Sequence, residues 1–136
     1  ALASRDPYPW FTHQHDPGFE ANGMFTTFDN GNTRVADNPG VTENSRGQAY
    51  QIDEVNRVAS LVVNTDLGVY SNALGSAQRL GNGNYHFLAG FINPGPSQYS
   101  QSIEVLPDGT TNLRLQSPQL AYRSFRIPSL YAPPGT

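Results

Sequence analysis

The chain has 136 residues, about one ordinary domain, and is 37% hydrophobic and 11% aromatic, enough for a core. Charged residues are only 14% of it, all eight basic residues are arginines, and eleven acidic residues leave a net charge of −3. Such a chain carries no basic footprint for nucleic acid or anionic lipid, and without cysteine it has no disulfide scaffold, zinc–thiolate site or thiol nucleophile.

No apolar run approaches the roughly 18 residues of a membrane-spanning helix. Thirteen glycines, eleven prolines and many asparagines point instead to turns between short strands. No segment of ten residues or more has helical periodicity.

In chain order, Gly18–Ala21 leads into Asn22-Gly23 and then Met24–Phe28. Asn-Gly is the strongest short hairpin signal, and a type I′ turn with positive φ at both residues is expected there. A loop over Thr33–Arg46 precedes a strand at Ala49–Ile52, a turn at Glu54–Arg57 and a strand at Val58–Val63. The same grammar then restarts. Gly75–Leu80 runs into Gly81–Asn84, then Tyr85–Phe91, a loop at Asn93–Ser97, and Ser100–Leu106. Pro107-Asp108-Gly109-Thr110 turns the chain into Leu113–Leu115, and Tyr122–Ile127 alternates up to Pro128.

The two Asn-Gly turns at Asn22 and Asn82 stand 60 positions apart, and the later turns at Glu54 and Asp108 stand 54 apart. Four short antiparallel strands per repeat is the pattern of propeller blades, whose usual period of about 40 to 50 residues lengthens with loop insertions. The expectation is an all-β chain of about two four-stranded propeller-type blades plus an extra strand. Two blades cannot close a ring, so other chains or further sequence would complete it; the alternative is a β-sandwich. The expected divisions are an aromatic and proline-bearing N-terminal segment at 1–12, a first blade at 13–68 and a second at 69–118. A closing strand at 119–131 and a flexible tail at 132–136 follow.

Several motifs, in order, resemble the arylsulfotransferase family of bacteria and fungi. They are His13-Gln14-His15-Asp16, Asn22-Gly23, Phe28 to Arg34, Ser45-Arg46 and Tyr50 to Glu54, followed by Gly75 to Leu80, Gly81 to Asn84 and Tyr122-Arg123. The likeness runs from about Pro9 to Tyr131 and is to the C-terminal part of the family domain. It implies a six-bladed propeller, usually exported, that moves sulfate between phenols without a nucleotide donor. A histidine would take the sulfuryl group, and other histidines and an arginine would bind it. It also implies an aryl sulfate and a phenol as partners and an extracellular or periplasmic setting; no cofactor is expected, and three histidines without cysteine offer little to hold a metal.

Five residues are candidates for that chemistry. His13 and His15, two apart, would share one face of a strand and hold a sulfate oxygen or move a proton; otherwise they are polar rim residues beside Asp16. Arg34 offers a guanidinium fork to a tetrahedral oxyanion, or pairs with Asp29 or Asp37. Arg46 either joins it in binding substrate or forms an ion pair with Asp53 or Glu43. His86 is the remaining histidine and the available nucleophile, unless it is a packed strand residue with Leu88 at the expected position.

Asp29, Asn32 and Asp37 lack the pattern of a calcium loop and suit turns better. Gly81–Asn84 precedes no helix and is a hairpin, not a phosphate loop. Tyr8-Pro9-Trp10-Phe11 either stacks on a sugar or phenol or covers an exposed core edge. Ala1–Ser4 has no intact signal peptide, and a processed N-terminus or a fragment boundary is expected.

Overall fold

The computed structural model describes residues 10–39 and 43–128. The expected tail at 132–136, the end of the 119–131 segment, and Tyr8 and Pro9 lie outside the described residues.

Among the described residues, eight strands form two antiparallel sheets of four. The first sheet contains β1 (His15–Phe19), β2 (Met24–Asp29), β3 (Arg46–Asp53) and β4 (Val58–Asp66). The second contains β5 (Gly75–Arg79), β6 (Tyr85–Ile92), β7 (Tyr99–Val105) and β8 (Thr111–Ser117). Each strand pairs with its neighbour in sequence, so each sheet is a meander and no strand crosses between sheets. That is the order of two successive propeller-type blades, not closed into a ring. A sandwich of the immunoglobulin kind would exchange strands through Greek-key connections.

Three of the turns are alike, and they differ from the expected type I′ form. At Leu80–Asn84 the Leu80 amide donates to the Asn84 carbonyl at 2.8 Å and the Gly83 amide to the Leu80 carbonyl at 2.9 Å. Glu20–Met24 and Leu106–Thr110 repeat both bonds. Only the glycines have positive φ, at 81° for Gly23, 89° for Gly83 and 87° for Gly109. The preceding side chain explains the difference: Asn22, Asn82 and Asp108 each accept the amide two residues ahead at 2.8–3.0 Å. This side-chain bond keeps that residue at negative φ and leaves the left-handed position to glycine, a type I turn with a G1 bulge.

Among its described residues, the loop expected over Thr33–Arg46 contains one short helix, α1 (Asn32–Asp37). It is too short to show a periodicity, and it starts at Gly31 in the left-handed region. No helix among the described residues is long and apolar enough to cross a membrane.

Between the sheets lies a core of Phe28, Ala49 and Val63 from the first and Ala77, Phe87, Ala89, Ile103 and Val105 from the second. The approach is close because glycines face aromatic rings. Gly47 sits under Phe87 and Gly75 under Phe28, with no room for a Cβ at either. β5 lies over β1 and β2, and the Asp16 carboxylate of β1 accepts the Ala77 amide at 3.3 Å.

The expected closing strand, Tyr122–Ile127, has no ladder partner among the described residues. It is held to the far face of the second sheet by side chains of β5. Ser76 Oγ donates to the Ser124 carbonyl at 2.9 Å and accepts its amide at 3.1 Å. Gln78 does the same for Arg126, at 3.1 and 2.8 Å. The first strand of each sheet thus anchors the backbone of the next layer through its side chains.

Gly47→Ala should lower the urea midpoint of unfolding by an amount corresponding to about 1–3 kcal/mol, because Phe87 must move. Gly81→Ala, with nothing near its added methyl, should stay within about 0.5 kcal/mol of the parent.

Candidate functional site

The end of the first sheet where β1 begins and β2 finishes carries most of the candidates. β2 ends on Asp29, whose side chain is 1% exposed. Burying a carboxylate so completely requires opposite charge and donors. Arg34 Nη2 reaches Asp29 Oδ2 at 3.1 Å, Arg46 Nε reaches the same oxygen at 2.9 Å, and the Thr12 amide donates to Oδ1 at 2.8 Å.

Arg34 arrives there because Gly31 turns the chain into α1 with φ of 76° and leaves space beneath the guanidinium. Its Nη1 donates to Glu43 Oε2 at 2.6 Å and its Nη2 also to the Asn44 carbonyl at 2.9 Å. Its Nε is buried without a hydrogen-bond partner among the described residues. Of the ion pairs anticipated for the two arginines, the structure has Arg34 with Asp29, while Arg46 pairs with Asp29 too. Two guanidiniums and two carboxylates balance formally. Nearby Tyr70 is pushed above the ordinary phenol value by burial, an effect the Arg34 charge opposes.

His15 opens β1, and its Nδ1 lies 2.6 Å from Asn30 Oδ1. Asn30, the residue after Asp29, is fully buried. Its Nδ2 donates to the carbonyls of Ser71 and Leu74 at 2.6 and 3.1 Å, in the connection between the sheets. Ser45 Oγ lies 3.1 Å from the Asn30 carbonyl and accepts the Ser71 amide at 2.9 Å. His13 precedes β1 with φ of 55°, so the alternation that would have put His13 and His15 on one strand face does not apply.

His86 is elsewhere. It is the second residue of β6, where its neighbours Tyr85 and Phe87 belong to the core between the sheets. Alternation therefore turns it to the opposite face. There its Nε2 lies 2.8 Å from Ser124 Oγ, which is 3.0 Å from Ser102 Oγ. Arg126 pairs with Glu104 beside it. Burial pushes His86 below the ordinary imidazole value, Arg126 adds to that, and Glu104 opposes it. A hydrogen bond from Asn84 holds Glu104 below the usual carboxylate range, with Asn112 and Arg126 adding. The packed strand histidine is thus the geometry found for His86, and Leu88 shares its face.

Trp10 and Phe11 stack against the outer side of the first sheet. The Trp10 and Tyr50 rings are 6.4 Å apart at 20°, and Phe11 lies 5.7 Å from Phe25. With Phe19 and Ile52 they line an open, wholly apolar groove.

The end of β2 therefore joins His15, Arg34 and Arg46 through consecutive residues, Asn30 and Asp29. The family model described as arylsulfotransferase (ASST) matches residues 3–122. The chain belongs to the arylsulfotransferase family. No curated protein matched it. Within this arylsulfotransferase-family chain, Asn30, which links His15 to the connection between the sheets, is a residue that the sequence did not single out, although it lies inside the Phe28–Arg34 motif. A buried asparagine beside an Asn-Gly-like turn is indistinguishable in sequence from a turn residue.

Asp29→Asn should destabilise the chain by about 3–5 kcal/mol in urea unfolding, because two buried guanidiniums lose their shared counter-ion. His86 gives a pH dependence. Its folded value lies below the ordinary 6.5, so the unfolded chain takes the proton first as pH falls. The stability contributed by neutral His86 is complete above 6.5 and is lost as pH falls from there through the folded value. Unfolding measured from pH 8 to 5 should show that loss, and a His86→Gln variant should show less of it.

Proposed function

We propose that this chain takes part in sulfate transfer between phenolic compounds, with His15 as the histidine that accepts the sulfuryl group. The observation that carries this reading is the coupling of His15 to Arg34 and Arg46 through Asn30 and Asp29, while His86 is occupied by Ser124 on another face. An imidazole nitrogen of His15 attacks sulfur; the N–S bond forms, the aryl S–O bond breaks and a phenolate departs. A second phenolate then attacks sulfur, and the N–S bond breaks to restore the ring.

Because the arginines are already paired, oxyanion stabilisation rests on directed N–H groups more than on net charge. Arg46 and His13 complete the proposed substrate side. Export to an extracellular or periplasmic setting belongs to the same proposal.

A second reading has its own observation. Among the described residues, the first sheet carries an apolar groove and the Tyr122–Ile127 segment has no ladder partner, surfaces that suit a subunit assembling with other copies or complementary chains. A structural or carbohydrate-binding scaffold would need no sulfuryl acceptor.

Transfer from a chromogenic aryl sulfate to phenol separates these. His15→Ala should lose at least about 100-fold in rate, and Arg34→Ala should also fall. Activity that survives both substitutions removes the assignment. Activity lost in His86→Ala but kept in His15→Ala moves the acceptor to His86. A folded parent with no transfer at all favours the scaffold.

A further inference from the structure

We propose that Asn30 is a positioning residue that fixes the proton of His15 on Nδ1 and so makes Nε2 the reacting nitrogen. This rests on the role given to His15 above, but its physical core is independent of it. An amide side chain is ambiguous only until its partners are known. Asn30 has two on one side, the Ser71 carbonyl at 2.6 Å and the Leu74 carbonyl at 3.1 Å. Both are acceptors, so the NH2 group must face them and Oδ1 must face the imidazole. Oδ1 has no hydrogen to give. At 2.6 Å from it, His15 Nδ1 must carry the proton. In the neutral ring the lone pair is then on Nε2.

The surroundings hold this orientation rigidly. Ser71 is itself tied down, its amide donating to Ser45 Oγ at 2.9 Å and its hydroxyl donating to the Ala73 carbonyl at 2.8 Å. Leu74 presents its carbonyl from a left-handed φ of 61°, unusual for a residue with a branched side chain and held only by its surroundings. Both carbonyls belong to the connection between the two sheets, so the protonation pattern of His15 depends on how the second sheet docks on the first. When Nε2 bonds to sulfur, the ring becomes cationic and the Nδ1–H bond to Asn30 becomes charge-assisted.

The test is 15N NMR of the histidine-labelled chain at a pH where the ring is neutral, with long-range 1H–15N correlations to distinguish the two ring nitrogens. His15 should show a protonated Nδ1 and an unprotonated Nε2, and Asn30→Leu should lose that pattern. An Nε2–H tautomer in the parent overturns the inference, whether or not the variant folds. So does an unchanged Nδ1–H tautomer in a folded Asn30→Leu chain. The expected tautomer together with no sulfate transfer in the parent would instead overturn the role given to His15, and leaves the tautomer assignment standing.

Discussion

A carboxylate with 1% exposure at the end of a strand is the constraint around which this end of the chain is organised. A carboxyl group so buried needs the two guanidiniums and the amide that are directed at it. That requirement brings Arg34 back from α1 and Arg46 from the start of β3, and it needs Gly31 to make space for the first of them. Once Asp29 is fixed, Asn30 is fixed behind it. Asn30 then reaches His15 on one side and the connection to the second sheet on the other. One dipeptide thereby ties the charged cluster, the histidine and the contact between the sheets to a single backbone geometry.

The second organising feature is how one sheet recognises the next. Strand ladders satisfy backbone groups within a sheet, but the first strand of a new layer has an edge facing the old one. Here polar side chains meet that edge. Asp16 of β1 accepts from Ala77 of β5, while Ser76 and Gln78 of β5 serve Ser124 and Arg126. The arrangement repeats from layer to layer, and apolar contact alone would give no such register. Glycine against ring, at Gly47 and Gly75, lets the layers approach closely enough for these bonds to form.

The strands were legible in the sequence because period-two alternation and Asn-Gly or Asp-Gly turns are local signals. The turn type was not, because it depends on whether Asn22 and Asn82 spend their side chains on the backbone ahead, a bond that competes with the left-handed conformation. The helix at Asn32–Asp37 was hidden by its length, fewer than two turns being too few for a period. His13 and His15 looked equivalent at a spacing of two, yet the strand begins at His15 and His13 falls outside it.

For the candidate site, the sequence by itself determined the residue types, their order and the family to which the chain is similar. It also determined the repeat that makes two sheets of four strands. Tertiary structure decided which of those residues meet. Arg34 and Arg46 share Asp29, and Asn30 faces His15, because sheet register and a left-handed glycine bring together positions far apart in the chain. His86 goes to Ser124 because it has the opposite parity on β6 from the core residue Phe87. Spacing along a chain fixes which face a strand residue takes relative to its neighbours; only packing fixes which of the two faces meets the other sheet.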